Sequence, residues 1–317
     1  MYWVLLLIAA LVGTHGLRTW LLKRPLKAVN HEPFDGAIYQ VGDSVIGYRA
    51  AQGKPRRSVI AVHGFLEDFR YFTALYMDPT VELVLINNSG YHCPDRSQAP
   101  HQAPWAQSEN PYPVGSIEHD AFVFNLALTH LVSGESVRAH GHSRGGAVIL
   151  EAAAQAPERF RDIDVILEAP VLPGGKGHPL LELAFNGLGR YLLPINFSLL
   201  RHIDTVRFGG WMFAPLNPRK AELVRGLYFS ARSFDVVLSN IRSMRAWIET
   251  RDASLYGNLS HGVILIGARD LVLDRGAMLR SAKHAEPHLK VVETHGTSHF
   301  ISLDQPATVP KLTVAAA

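Results

Sequence analysis

Short apolar runs recur along the body of this chain, each closed by glycine, proline or a polar turn. Val59-Ile60-Ala61-Val62, Val81-Glu82-Leu83-Val84-Leu85-Ile86, Val165-Ile166-Leu167 and Val263-Ile264-Leu265-Ile266-Gly267 are rich in β-branched residues and show little alternation. That composition predicts strands buried on both faces, as in a parallel sheet. Ser136-Val137-Arg138-Ala139-His140 and His288-Leu289-Lys290-Val291-Val292-Glu293 read as two further strands. Near the start of the body, residues 37–41 and 44–48 flank Gly42-Asp43, the signature of a hairpin. Helices are predicted over 146–154 and 276–285. Three more begin at Leu180, Arg219 and Phe234, the last running to about Arg251, with apolar residues three and four apart. Strands alternating with helices imply an α/β fold with a mostly parallel central sheet.

A different pattern opens the chain. Residues 2–13 are uninterruptedly apolar, and Trp3 to Trp20 on a helix spans roughly 25 Å. This matches a hydrocarbon core with an aromatic at each interface, although Arg18 would have to snorkel. Arg18, Lys23, Arg24 and Lys27 follow the apolar run, whereas a secretory signal carries its positive charge before it. The segment 1–24 therefore reads as a single-pass anchor that leaves the remainder cytoplasmic; a cleaved signal and a secreted protein form the alternative.

Composition changes this picture little. With 47% hydrophobic residues in 317, the chain can bury a large core, and 19% charged residues exclude a disordered polyelectrolyte. The formal charge of +3 is concentrated: the first 27 residues hold four basic residues and no acid, so the body is close to neutral. No nucleic-acid surface is implied. The single cysteine, Cys93, excludes an intrachain disulfide. Between Tyr91 and Val114 the chain is rich in Pro, His and Gln and reads as an irregular loop. His92, Cys93, Asp95 and His101 in it match no strong ligand spacing, and no metal or other cofactor is assigned.

The candidate chemistry lies where the strand 136–140 meets the helix after it. Gly141-His142-Ser143-Arg144-Gly145 is a G-x-S-x-G run. A serine on a strand-to-helix turn has a strained backbone and an outward hydroxyl, with the helix N-terminus aimed at any oxyanion formed there. Gly141 and Gly145 leave room for the crossing chain.

With this motif and a second, the apolar strand 59–62 ending in His63-Gly64-Phe65-Leu66, the chain resembles the α/β-hydrolase family from about Ala37 to the C-terminus. The resemblance implies an oxyanion hole made by the backbone N–H groups of Phe65 and Arg144. It implies a Ser-acid-His order, with Asp270 just past the strand 263–267 as the acid. Asp274 and Glu168 are rivals. His299, in Gly296-Thr297-Ser298-His299, matches the base position, with His295 as the alternative. His63 is read chiefly as a loop-supporting histidine and, with Gly64, as part of the substrate-site wall. The Arg144 side chain is expected to be solvated or salt-bridged on the first helical turn, with a cation at the pocket mouth as the other reading.

The helices between Leu172 and Ser260 look like the family's inserted cap. The organisation expected is an anchor at 1–24, a core at 30–174 and 256–317, and a helical cap at 175–255. Leu199, Leu200, Trp211, Met212, Phe213 and Leu216 are candidates to line an acyl pocket, Trp211 and Phe213 above all. These features together describe a serine hydrolase of a small hydrophobic or lipid-like ester, acting through an acyl-enzyme. The same residues serve an acyltransferase, thioesterase or amidase, and the fold also serves a non-catalytic tethered binding protein.

Overall fold

The computed structural model describes residues 2–24, 31–65, 67–200, 214–226 and 234–312. Helix α1 (Tyr2–Lys23) precedes a body built on an eight-stranded sheet. The strands are β1 (Ala37–Val41), β2 (Ser44–Arg49), β3 (Arg57–Val62), β4 (Val81–Asn87), β5 (Ser136–His142), β6 (Ile163–Glu168), β7 (His261–Gly267) and β8 (Lys290–Thr294). Their order across the sheet is β1-β2-β4-β3-β5-β6-β7-β8. The β1–β2 hairpin is antiparallel and so is its junction with β4, while β3 to β8 run parallel.

The near-continuous apolar runs have a direct cause. Ile60 and Val62 of β3 and Val84 and Ile86 of β4 face one core, whereas Val59, Ala61, Leu83 and Leu85 face the other. Both faces are covered, so alternation is lost. The first core is closed by α3 (Ile117–Leu131) and α4 (Arg144–Gln155). The second is closed by α2 (Arg70–Thr73) and the chain around Phe300 and Leu303.

Between β6 and β7 the described chain is helical: α5 (Pro179–Ala184), α6 (Gly187–Leu200), α7 (Pro218–Gly226) and α8 (Phe234–Thr250). Helix α9 (Arg275–Ala282) then leads to β8, and the single turn α10 (Ile301–Asp304) follows it. The irregular stretch 91–114 is less free than its composition implies. It contains a 3-10 turn at Pro104–Gln107, and His101 bridges to Tyr39 of β1. His92 and Asp95 there are engaged with Asp68 and with the backbone of Phe34 and Ser97.

Strand order decides where a site can form. From β3 the chain steps to β4 on one side and then to β5 on the other. The crevice beyond the carboxyl ends of β3 and β5 is therefore the switch point of the sheet, where open α/β sheets bind their ligands.

Candidate active site

Ser143 sits at that switch point, directly after β5, and caps α4 with φ 52° and ψ −118°. A non-glycine residue at positive φ costs about 1–3 kcal/mol and persists only where its surroundings dictate it. Here they do: Ser143 N–H donates to Glu168 O at 2.9 Å, and Ser143 O accepts from Gly146 and Val171 N–H at 3.0 and 2.9 Å. The hydroxyl does not cap the helix. A Cβ on Gly141 would lie 2.5 Å from Gly145 O, and one on Gly145 would strike Val62 O, so both glycines are sterically required. Gly64 is required too, since its Cβ would fall 2.7 Å from Ser143 Cβ. The loop after β3 thus lies against the serine.

Asp270 and His299 come together from the loops after β7 and β8. His299 Nδ1 is 2.7 Å from Asp270 Oδ2, and Asp270 Oδ1 accepts from Val272 and Leu273 N–H at 2.8 and 2.9 Å. Burial pushes the Asp270 carboxyl up, but His299 and the two N–H groups outweigh it and hold it below its usual value. The rivals are engaged elsewhere. Asp274 caps α9 through Ala277 N–H, and Glu168 binds Tyr71 Oη at 2.6 Å and His140 Nε2 at 2.9 Å. His295 is exposed on a turn.

Behind Ser143 lies a polar cluster that sequence reasoning missed. His142 Nδ1 is 2.8 Å from Glu67 Oε2 and Nε2 is 3.0 Å from the His299 carbonyl oxygen. Both partners only accept, so the ring satisfies them as a doubly protonated imidazolium. Burial opposes the charge; Glu67, Glu168 and the His299 carbonyl overcome it and raise the pKa to about 9. Tyr71 stacks on this ring at 4.2 Å and 12°. Glu67 Oε2 also accepts Gly64 N–H at 2.8 Å. One carboxylate oxygen and one imidazole therefore join the loops that carry Gly64, Ser143 and His299. The signal in the sequence was an acid in a buried loop four residues beyond His63, legible only once its partner was known.

His63 is fully buried, and its Nε2 accepts from Asn88 N–H at 3.1 Å while Nδ1 donates to Gly64 O at 2.8 Å. Burial pushes its pKa down to about 4, so the ring is neutral. It ties the β3 and β4 loops and offers no atom to a substrate, which corrects its placement in the substrate-site wall. The Arg144 side chain is salt-bridged, as one of the two expectations had it, but in the core instead of at the surface, and it does not stand at a pocket mouth. It is fully buried, donating to Asp120 Oδ2 at 2.6 Å and Gly115 O at 3.1 Å. Phe65 packs edge-on against Phe185, 6.0 Å between centroids, in a cluster with Leu193, Leu238, Ile241 and Leu22 of α1. Trp211, Met212 and Phe213 lie outside the described residues, whereas Leu199 and Leu216 are exposed rather than beneath the insertion. Lys220 on α7 is buried against Asp304 and Ser298 Oγ, which ties the insertion to the residue preceding His299.

A strained serine between a parallel strand and a helix, at the switch point of a mixed sheet carrying an inserted group of helices, defines the α/β-hydrolase class. The chain belongs to the alpha/beta hydrolase family, whose model matches residues 59–311. No curated protein matches it by sequence. Solved structures resemble it at low identity. E-2-(acetamidomethylene)succinate hydrolase is 15% identical with a TM-score of 0.59, over 87% of this chain and 96% of that one. The esterase EaEST from Exiguobacterium antarcticum is 16% identical with a TM-score of 0.58, over 86% and 96%. The 2-hydroxy-6-oxo-6-phenylhexa-2,4-dienoate hydrolase from Rhodococcus sp. is 20% identical with a TM-score of 0.58, over 86% and 94%.

Proposed function

We propose that this chain is a serine hydrolase cleaving a hydrophobic carboxylic ester, with Ser143 as nucleophile, His299 as base and Asp270 as the acid that orients it. The observations that carry the reading are the 2.7 Å contact of His299 Nδ1 with Asp270 and a serine held at φ 52° on the turn between β5 and α4. Asp270 accepts the Nδ1 proton, which leaves Nε2 unprotonated and able to take the Ser143 hydroxyl proton. Ser143 Oγ then attacks the acyl carbonyl. The developing oxyanion is held by the N–H groups of Phe65 and Arg144, the latter at the first turn of α4. His299 returns its proton to the leaving alkoxide. Water next attacks the acyl-enzyme with His299 as base, releasing the acid and restoring Ser143.

The ester preference rests on the apolar cluster around Phe65 and Phe185, which offers no charge to a substrate. Gly64 contributes backbone to the wall beside Ser143. Residues 175–255 serve as the cap over this core (30–174 and 256–317), and Trp211 and Phe213 remain its proposed acyl-pocket residues. Residues 1–24 form the membrane anchor, with the catalytic body on the cytoplasmic side. Fluorophosphonate labelling with Ser143→Ala as control tests the nucleophile. Turnover on matched oxygen-ester, thioester and amide substrates tests the bond class: preference for the amide would overturn the ester reading.

A further inference from the structure

Helix α1 has apolar side chains all the way round, and only Leu21 of its 22 residues is buried. Apolar surface on every side of an isolated helix needs hydrocarbon around it. Yet α1 does not stand apart from the body. Its C-terminal half packs along α6, where a groove of about 550 Å³ is lined by Leu11, Val12, His15, Leu188, Tyr191 and Leu192. His15 Nδ1 lies 2.8 Å from Tyr191 Oη, and Arg18 Nε donates to Tyr191 O at 3.0 Å. Two polar side chains of α1, His15 and Arg18, are thus paired across the helix contact, as polar groups between helices in lipid are.

This contact fixes a depth. From Lys23 back to His15, which meets Tyr191, is about 12 Å along the helix, less than the roughly 15 Å of half a hydrocarbon core. A spanning α1 therefore carries the Tyr191 turn of α6 into the same leaflet. The surface of the insertion agrees. Leu183 and Leu188 are 74% and 72% exposed, Leu199 is also exposed, and α6 has one charged residue, Arg190, in fourteen. Past the C-terminal end of the groove, Leu22 of α1 packs in the cluster that holds Phe65 and Phe185.

We propose that α6 lies in the leaflet beside α1, and that the groove between α1 and α6 holds a hydrocarbon chain of a bilayer lipid ester. The substrate then reaches Ser143 from the membrane. The proposal rests on the ester-hydrolase reading for its substrate and on the membrane-anchor reading of α1 for its geometry.

The test uses the full chain in phosphatidylcholine vesicles containing a lipid with a doxyl quencher on its acyl chain. Bimane is attached to Leu11→Cys, Leu188→Cys or Met77→Cys, each with Cys93→Ser. Labels at 11 and 188 are expected to lose at least half their emission to the doxyl lipid and none to aqueous iodide, with the reverse at 77. A label at 188 that behaves like the one at 77 overturns the embedded insertion, and so does a label at 11 that the doxyl lipid leaves unquenched. For the groove, Leu192→Trp should lower turnover of a vesicle-borne long-chain monoacylglycerol at least tenfold relative to a water-soluble acetate ester; equal loss on both overturns it. Fluorophosphonate labelling of Ser143 in the same vesicles reports separately on the catalytic reading.

Discussion

Glu67 and His142 form a buried ion pair, 2.8 Å apart, directly behind the serine that follows His142 in the chain. Neither group reaches the Ser143 hydroxyl. The pair instead holds the backbone of the loops that carry Gly64, Ser143 and His299, through Gly64 N–H on one side and the His299 carbonyl on the other. Removing one partner of such a pair strands a charge in low dielectric.

Glu67→Gln is expected to cost about 3 kcal/mol of stability and at least tenfold in kcat, with a smaller change in KM. The two readouts separate a positioning role from a purely structural one. A lowered Tm with unchanged kcat in the folded fraction would show that the pair supports the fold alone.

The charge on His142 has a pH signature. Its folded pKa, about 9, is above the unfolded value near 6.5. The stability it contributes is full below pH 6.5 and is lost as pH rises through 9. Tm should therefore fall between pH 6.5 and 9 in the wild-type protein, and His142→Gln should flatten that slope. Glu168 works in the opposite direction. Burial opposes its ionisation, but His140, His142 and Tyr71 lower its pKa to about 2, so its contribution is full above about pH 4.5 and fades as pH falls toward 2. A wild-type Tm that stays level from pH 6.5 to 9 would count against the charged His142.

Ser143→Ala and His299→Ala are each expected to lower kcat about 10⁴-fold or more while the protein stays folded, and Asp270→Asn less. His295→Ala should keep near-normal turnover. Ser143→Gly should be inactive but more stable than Ser143→Ala by about 1 kcal/mol, because glycine adopts φ 52° without strain. If His295→Ala proves as damaging as His299→Ala, the base is misassigned.

Arg144→Leu leaves the Asp120 carboxylate buried without its guanidinium partner, at a cost of about 3–5 kcal/mol. The ratio of kcat/KM for anionic to neutral esters should stay unchanged. A selective loss on anionic esters would restore a substrate-binding role to this arginine.

Much of the sheet is legible because strands buried on both faces write their position into local composition. The runs 59–62, 81–86, 165–167 and 263–267 all lie within observed strands. The elbow is legible for a related reason: the close approach of β3, β5 and α4 leaves space only for glycine at 141 and 145, so the constraint appears within five residues. Helix α3 is quieter. Ile117, Asp120, Val123, Phe124 and Asn125 are all buried, so it lacks the polar face that makes a helix readable.

What tertiary structure alone decided is which side chains meet. Asp270, Asp274 and Glu168 all lie at or just past strand ends, and nothing local ranks their distance to His299. The loops after β7 and β8 bring Asp270 to it, while packing commits Asp274 to a helix cap and Glu168 to Tyr71 and His140. Arg144 is charged and begins a helix, which reads as surface until Asp120 of α3 is placed beneath it. Glu67 and His142, 75 residues apart, are the same case. Burial of a backbone element is a property of a segment and leaves a periodic trace, whereas the pairing of two buried charges depends on where distant loops converge.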